Sequence, residues 1–132
     1  MKKIILSASL VAVFAITNFA QSTLGNGPEI QFNKEFHDFG DKDRYSSVRT
    51  VFKVTNTGSE PLIINEAEGS CGCTTPFYPK QPIPPGATEE IIVRYDSARV
   101  GPFNKTVTVT SNAVNEPKSV LKIKGNMLAA NE

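Results

Sequence analysis

The chain has 132 residues, 39% of them hydrophobic and 20% charged, with 14 Lys and Arg against 13 Asp and Glu. Its cations are scattered rather than gathered on one face, which sets nucleic acid aside as a partner. The length fits one domain, and only two Cys and one His are available for soft-metal, thiol or imidazole chemistry.

The chain opens Met1-Lys2-Lys3, runs apolar from Ile4 to Ile16, and then turns small and polar at Thr17, Asn18, Ala20 and Ser22. This is the order of regions in a secretory signal. The apolar run is shorter than the roughly 20 residues that cross a bilayer, and no Asp or Glu precedes Glu29. Residues 1–20 are expected to be a signal peptide cleaved after Ala20, with Ser22 as the alternative. Losing Lys2 and Lys3 leaves 12 basic against 13 acidic residues, a net charge of −1. No Cys lies near the junction to take a lipid, and no second apolar run follows. The expectation is an exported protein, periplasmic or secreted, with no membrane span once the signal is removed. Residues 21–28 are read as a flexible lead, 29–127 as the folded domain and 128–132 as a tail.

The domain reads as short alternating runs between Gly, Pro, Asn and Asp clusters, with no sustained helical period. Glu29 to Phe32 is a first edge strand, followed by an aromatic-rich link, Phe36-His37-Asp38-Phe39-Gly40. Val48 to Asn56 alternates, with Val48, Thr50, Phe52 and Val54 inward and Arg49, Lys53 and Thr55 outward, as a sheet with one wet face requires. Asn56-Thr57-Gly58-Ser59 is a turn. Leu62-Ile63-Ile64 is a short strand. Glu90 to Tyr95 follows with Ile91, Val93 and Tyr95 inward, then Phe103 to Ser111 with Val107 and Val109 inward. Ser119 to Met127 closes the domain with Leu121, Ile123 and Met127 inward, and its Gly125 marks a bulge or a close approach. From Thr74 to Gly86 five prolines forbid a central strand and favour an extended loop. Phe77 and Tyr78 ride on that loop as a candidate binding element. The fold class is all-β, an immunoglobulin-like two-sheet sandwich of about seven strands. Trp is absent and the two Cys are two residues apart, so the inter-sheet bridge of antibody domains is ruled out.

The chemically loaded segment is Ser70-Cys71-Gly72-Cys73-Thr74. In an oxidising compartment Cys71 and Cys73 have only each other as intrachain partners. A ring closed over three residues contributes only about 1.6 kcal/mol by chain entropy, before strain, so the bridge is not what holds the fold. Gly72 supplies backbone freedom to the ring. Four readings stand: a structural loop, which leads, thiol redox chemistry, a metal site, and a binding role. Glu66 and Glu68 would oppose a thiolate, and Lys80 would favour one only if its loop folded back. Zinc lacks two further ligands, since His37 is the only imidazole; monovalent copper tolerates two thiolates alone. No metal or cofactor is expected.

No catalytic residue is assigned. His37 is the only candidate for imidazole general base, and its ordinary reading is a half-packed strand-end residue. No nucleophile elbow, His-Glu helix pair or phosphate loop occurs. Asp96-Ser97-Ala98 reads as a turn with local backbone hydrogen bonds, and its form also matches an O-glycosylation acceptor at Ser97. Asn104-Lys105-Thr106 matches the N-glycosylation pattern, of little meaning behind a bacterial-looking signal.

Phe36-His37-Asp38-Phe39-Gly40, Asn56-Thr57-Gly58 with Pro61-Leu62, and Ser70-Cys71-Gly72-Cys73-Thr74 together resemble the bacterial family called domain of unknown function 1573. So do Pro82-Ile83-Pro84-Pro85-Gly86, Val93-Arg94-Tyr95-Asp96, Gly101-Pro102-Phe103-Asn104-Lys105, Ser111-Asn112 and Ile123-Lys124-Gly125. The resemblance implies an exported β-sandwich similar to immunoglobulin-like domains of cilia and centrosome proteins, which act as binding modules. It carries no catalytic residue over. Cys71, Gly72, Cys73 and Thr74 transfer only as motif positions. The expected function is a non-enzymatic module that binds a protein or envelope component through sheet edges or the Cys71–Gly86 loop. The alternative is a thiol-redox or soft-metal protein using Cys71 and Cys73.

Overall fold

A computed structural model describes residues 26–129 of the chain; the expected signal peptide and its cleavage site lie outside the described residues. Eight strands form: β1 (Ile30–Phe32), β2 (Phe36–Asp43), β3 (Arg49–Asn56), β4 (Ile64–Gly69), β5 (Thr74–Phe77), β6 (Thr88–Tyr95), β7 (Gly101–Ser111) and β8 (Lys118–Leu128). They make two four-stranded sheets, ordered β1-β3-β6-β5 and β2-β8-β7-β4. The alternation in β3, β6, β7 and β8 aims Phe52, Val54, Ile91 and Val93 of one sheet and Val107, Val109, Leu121, Ile123 and Met127 of the other into a shared core, where all nine are buried. Burying each such side chain contributes about 1.5–3 kcal/mol. This is the immunoglobulin-like sandwich the alternation implies, with β2 and β5 added to the six runs named from the sequence.

The first addition is β2. Phe36 to Gly40 is not a link but the first part of an edge strand parallel to β8, with the register shifting between Asp38 and Asp41. Gly40 takes a φ of 64° at that shift, a left-handed conformation that glycine adopts without penalty. Two further segments differ from expectation. Strand β4 starts only at Ile64; Leu62 instead pairs with Ile83 in an isolated antiparallel bridge, and both are wholly buried. The proline-rich stretch begins as β5, and its Pro76 is tolerated because β5 is an edge strand.

Gly125 is a close approach. A Cβ there would stand 2.7 Å from Cζ of Phe103. The Phe103 ring in turn stacks on Tyr95, with centroids 3.8 Å apart and planes 11° off parallel, and so joins the two sheets.

Asn56 is the buried polar centre of the fold, with no exposed surface. Its Nδ2 donates to the carbonyls of Glu60 at 2.7 Å and Ile83 at 2.9 Å. Its Oδ1 accepts from the N–H groups of Gly58 at 2.9 Å and Glu29 at 3.4 Å. The main chain adds Asn56 N–H to Ala87 O at 3.0 Å and Gly86 N–H to Asn56 O at 2.7 Å. Every hydrogen-bonding site of the amide is thereby used, and three loops are tied to the end of β3. Replacing it strands two carbonyls and two N–H groups at once. Asn56→Ala is expected to lose about 2–4 kcal/mol in urea unfolding; a loss under about 0.5 kcal/mol, the level of an ordinary surface change, would contradict that role.

Candidate functional site

The Cys-Gly-Cys segment forms the corner at which the chain leaves β4 in one sheet and enters β5 in the other. Gly69 permits the crossing, since a Cβ there would run into the carbonyl oxygen of Thr74. Main-chain bonds secure both sides of the turn. Ser70 N–H donates to Thr106 O at 2.8 Å, and Thr106 N–H returns to Ser70 Oγ at 3.1 Å. Beyond the turn, Thr74 N–H donates to Cys71 O at 3.2 Å and Asp96 N–H to Cys73 O at 2.8 Å.

Within this corner Cys71 and Cys73 are joined as a disulfide with Cα atoms 5.2 Å apart, inside the usual range. The two sulfurs are placed unequally: Cys73 is 2% exposed, while Cys71 is half-buried. Thr74 Oγ1 lies 3.7 Å from each sulfur, and the Cys73 N–H points at Cys71 Sγ at 3.3 Å. Gly72 is exposed, has open space where a Cβ would sit, and is not among the glycines of positive φ. Its expected conformational freedom is therefore not called on in the bonded ring. While bonded, the sulfurs offer no thiolate pair to copper, and no group of three His, Cys, Asp or Glu side chains is placed to hold a metal among the described residues. Lys80 does not fold back to favour a thiolate; its Nζ sits 3.3 Å from the centroid of the Tyr78 ring.

Strand β5 leads from the corner to Phe77. Because Asp96 N–H reaches Cys73 O, alternate residues Thr75 and Phe77 bond to β6, while Thr74 and Pro76 face the open edge. Thr74 N–H is already taken by Cys71 O, and Pro76 has no N–H. This edge is thus blunted against an added strand.

On that face the ladders set Val51 opposite Ile92 and Ile92 opposite Phe77, an apolar row across three strands. The next row sets Arg49 opposite Arg94. Phe77 is 48% exposed, and the Arg94 guanidinium lies 6.0 Å from its ring centroid. Arg49, Phe77, Ile92 and Arg94 line a shallow depression of about 290 Å³. Both guanidiniums are exposed, and neither has a carboxylate partner among the described residues. Phe77 therefore sits on a strand rather than a loop, and Tyr78, just past it, is half-buried against the core. Sequence reading missed Arg49 and Arg94. Their outward positions were legible from the alternation, but their pairing needed the register.

Ser97 borders this face, lining a depression of about 480 Å³ together with Gly72, Cys73, Phe77 and Arg94, whereas His37 lies on the other sheet. Ser97 is on the β6–β7 turn, where its carbonyl accepts from Tyr45 N–H at 3.0 Å and Asp96 Oδ1 accepts from Ala98 N–H at 3.0 Å. His37 is on β2, edge-on to Phe39 with centroids 4.6 Å apart. Its Nδ1 is 3.0 Å from Lys34 Nζ, which also donates to Thr50 Oγ1 at 3.2 Å. Burial first, and then the Lys34 ammonium with a smaller push from Lys42, hold the imidazole below its ordinary pKa against the opposing pull of Asp38. That makes His37 an acceptor for Lys34, not a general base aimed at a cavity.

With the geometry in place, comparison with known proteins settles the family. The model of the family described as protein of unknown function (DUF1573) matches residues 30–127. The chain belongs to this family. No curated protein matches it. Among solved structures it is similar to a protein of unknown function from Porphyromonas gingivalis W83, with a TM-score of 0.69 and 17% identity over 83% of this chain and 51% of that one. The chain thus spans about half the length of that protein. It is also similar to the ASH/PapD-like domain 7 of human CEP192, with a TM-score of 0.65 and 7% identity over 78% of this chain and 87% of that one. A third likeness is to the periplasmic chaperone SfaE, with a TM-score of 0.53 and 9% identity over 77% of this chain and 58% of that one. At these identities the likenesses establish the fold.

Two predictions follow from the corner and from His37. The double variant Cys71→Ala, Cys73→Ala is expected to lose no more than about 1.6 kcal/mol in denaturant unfolding, because the ring is small and main-chain bonds hold the turn; a larger loss would make the disulfide a fold determinant. Folding lowers the His37 pKa, so the unfolded chain takes up the proton first as pH falls below about 6.5. The melting temperature should therefore decline below that pH, and His37→Gln should flatten this part of the profile. An unchanged profile in the variant would remove His37 from the account.

Proposed function

We propose that the chain is an exported binding module that holds a protein partner against the outer face of the β3-β6-β5 sheet. The observation that carries this reading is the Val51-Ile92-Phe77 row beside the Arg49-Arg94 pair. Exposed aromatic and Arg side chains side by side are the composition of interface hot spots, and both sit on ladder-held strands. Two adjacent cations without carboxylate partners favour a partner surface that presents an acidic side chain next to an apolar one. The signal-like opening supports export, and the fold likeness to a periplasmic chaperone is in keeping with both parts of the reading. The blunted β5 edge argues for recognition by side chains on the face rather than by strand addition.

The test pairs wild-type protein with a Phe77→Ala, Arg94→Glu variant of equal melting temperature. Each is used to capture protein from a cell-envelope extract, and the recovered partner is then titrated in purified form. Loss of two hot-spot contacts is expected to weaken binding at least about thirtyfold, or about 2 kcal/mol. Equal affinity for both would place the partner elsewhere on the molecule.

A further inference from the structure

We infer that Cys71 and Cys73 are a thiol–disulfide exchange pair in which Cys71 is the attacking sulfur and Cys73 the resolving one. This goes beyond the binding reading and stands on different residues. Three observations converge on it. The corner is fixed by four main-chain and Ser70 hydrogen bonds that do not involve sulfur, so opening the bridge leaves the turn in place. The sulfurs differ in access, with Cys71 half-buried and Cys73 at 2% exposure, so an outside molecule meets Cys71 first. The Cys73 N–H is directed at Cys71 Sγ at 3.3 Å, and the Thr74 hydroxyl lies 3.7 Å from it, within reach to donate. Hydrogen bonds from N–H and O–H groups stabilise a thiolate over a thiol and so raise the fraction of the reactive form. The same hydroxyl lies 3.7 Å from Cys73 Sγ, so it can follow the charge when the second sulfur takes it up.

The chemistry balances with a disulfide as the co-reactant. In the reduced protein the Cys71 thiolate attacks one sulfur of a partner disulfide, forming a Cys71 mixed disulfide and expelling the other sulfur as a thiolate. Cys73, after giving its proton to solvent, then attacks Cys71 Sγ. The Cys71–Cys73 bond closes and the second partner thiolate leaves. The protein dithiol has lost two electrons and two protons, and the partner disulfide has become two thiols. Run backwards, the same steps deliver the Cys71–Cys73 bond to a partner dithiol. The substrate class is an exposed disulfide or dithiol of another exported protein, for which glutathione serves as a small probe.

The experiment uses the mature protein reduced with dithiothreitol, desalted, and exposed to oxidised glutathione, with products resolved by peptide mass spectrometry. Wild type should convert to the Cys71–Cys73 disulfide and release two glutathione thiols. Cys73→Ala should stop as a mixed disulfide on Cys71, and Cys71→Ala should react at least about tenfold more slowly because its remaining thiol is buried. Thr74→Val should slow the wild-type reaction and raise the pH at which Cys71 becomes reactive, and Thr74→Ser should restore both. Should a Cys variant fail to fold, iodoacetamide labelling of reduced wild type gives the same answer, with Cys71 modified at least about tenfold faster than Cys73. Equal reactivity of the two sulfurs, a native bond that dithiothreitol leaves intact, or a Thr74→Val variant with an unchanged pH profile would overturn the assignment.

Discussion

The amide of Asn56 is the interaction on which the rest of the fold depends. Its donors and acceptors tie together main-chain segments far apart in sequence, from Glu29 through Gly58 and Glu60 to Ile83. A buried amide left unmatched is costly, and a fully matched one fixes a single arrangement of the groups it touches. Here the arrangement fixed is that of the N-terminal lead, the turn after β3 and the proline-rich segment. That segment delivers Ile83 to Leu62, and the chain reaches β6 from a defined direction. Strand β5 then lies beside β6 because both of its flanking connections are held.

This arrangement leaves the corner between the sheets relieved of structural duty. Gly69 permits the crossing and main-chain bonds hold it, so the small disulfide is not the sole support of the corner. The outer face of the same sheet is relieved in a different sense. Its core-facing side carries the packing, which leaves Val51, Ile92, Phe77, Arg49 and Arg94 on the solvent side. The two features flank β5, with Cys71 and Cys73 just before its first residue and Phe77 at its last. One short edge strand therefore links the disulfide corner to the aromatic end of the outer face.

Much of this was legible from residue order. The inward sets of β3, β6, β7 and β8 follow from two-residue alternation, and the absence of a central strand between Thr74 and Gly86 follows from proline's missing donor. The part that escaped has a physical reason in each case. Strand β2 interrupts its own alternation at Gly40 and Asp41 and stays half-solvated on an edge, so its only signal was the spacing of His37 and Phe39. Ile83, flanked by prolines, looked like loop because its burial comes from Leu62, twenty-one residues away in sequence. Asn56 read as a turn residue, which it is, but its burial depends on segments that only the folded chain brings together. Cys71 and Cys73 were legible as a bonded pair, whereas their unequal access and the donors at Thr74 and Cys73 were not.

The central claim is that the Asn56 network, and not the Cys71–Cys73 bond, organises the sandwich. Native-state amide hydrogen exchange on the oxidised and the reduced protein tests it most directly, since exchange separates local opening from global unfolding. The Gly58 and Gly86 amides, both bonded to Asn56, should belong to the slowest class in both redox states. Any loss of protection on reduction should be confined to the corner amides of Cys73 and Thr74. If reduction instead exposes Gly58 and Gly86, or if they exchange by local opening while the core stays protected, the network does not hold the fold as described.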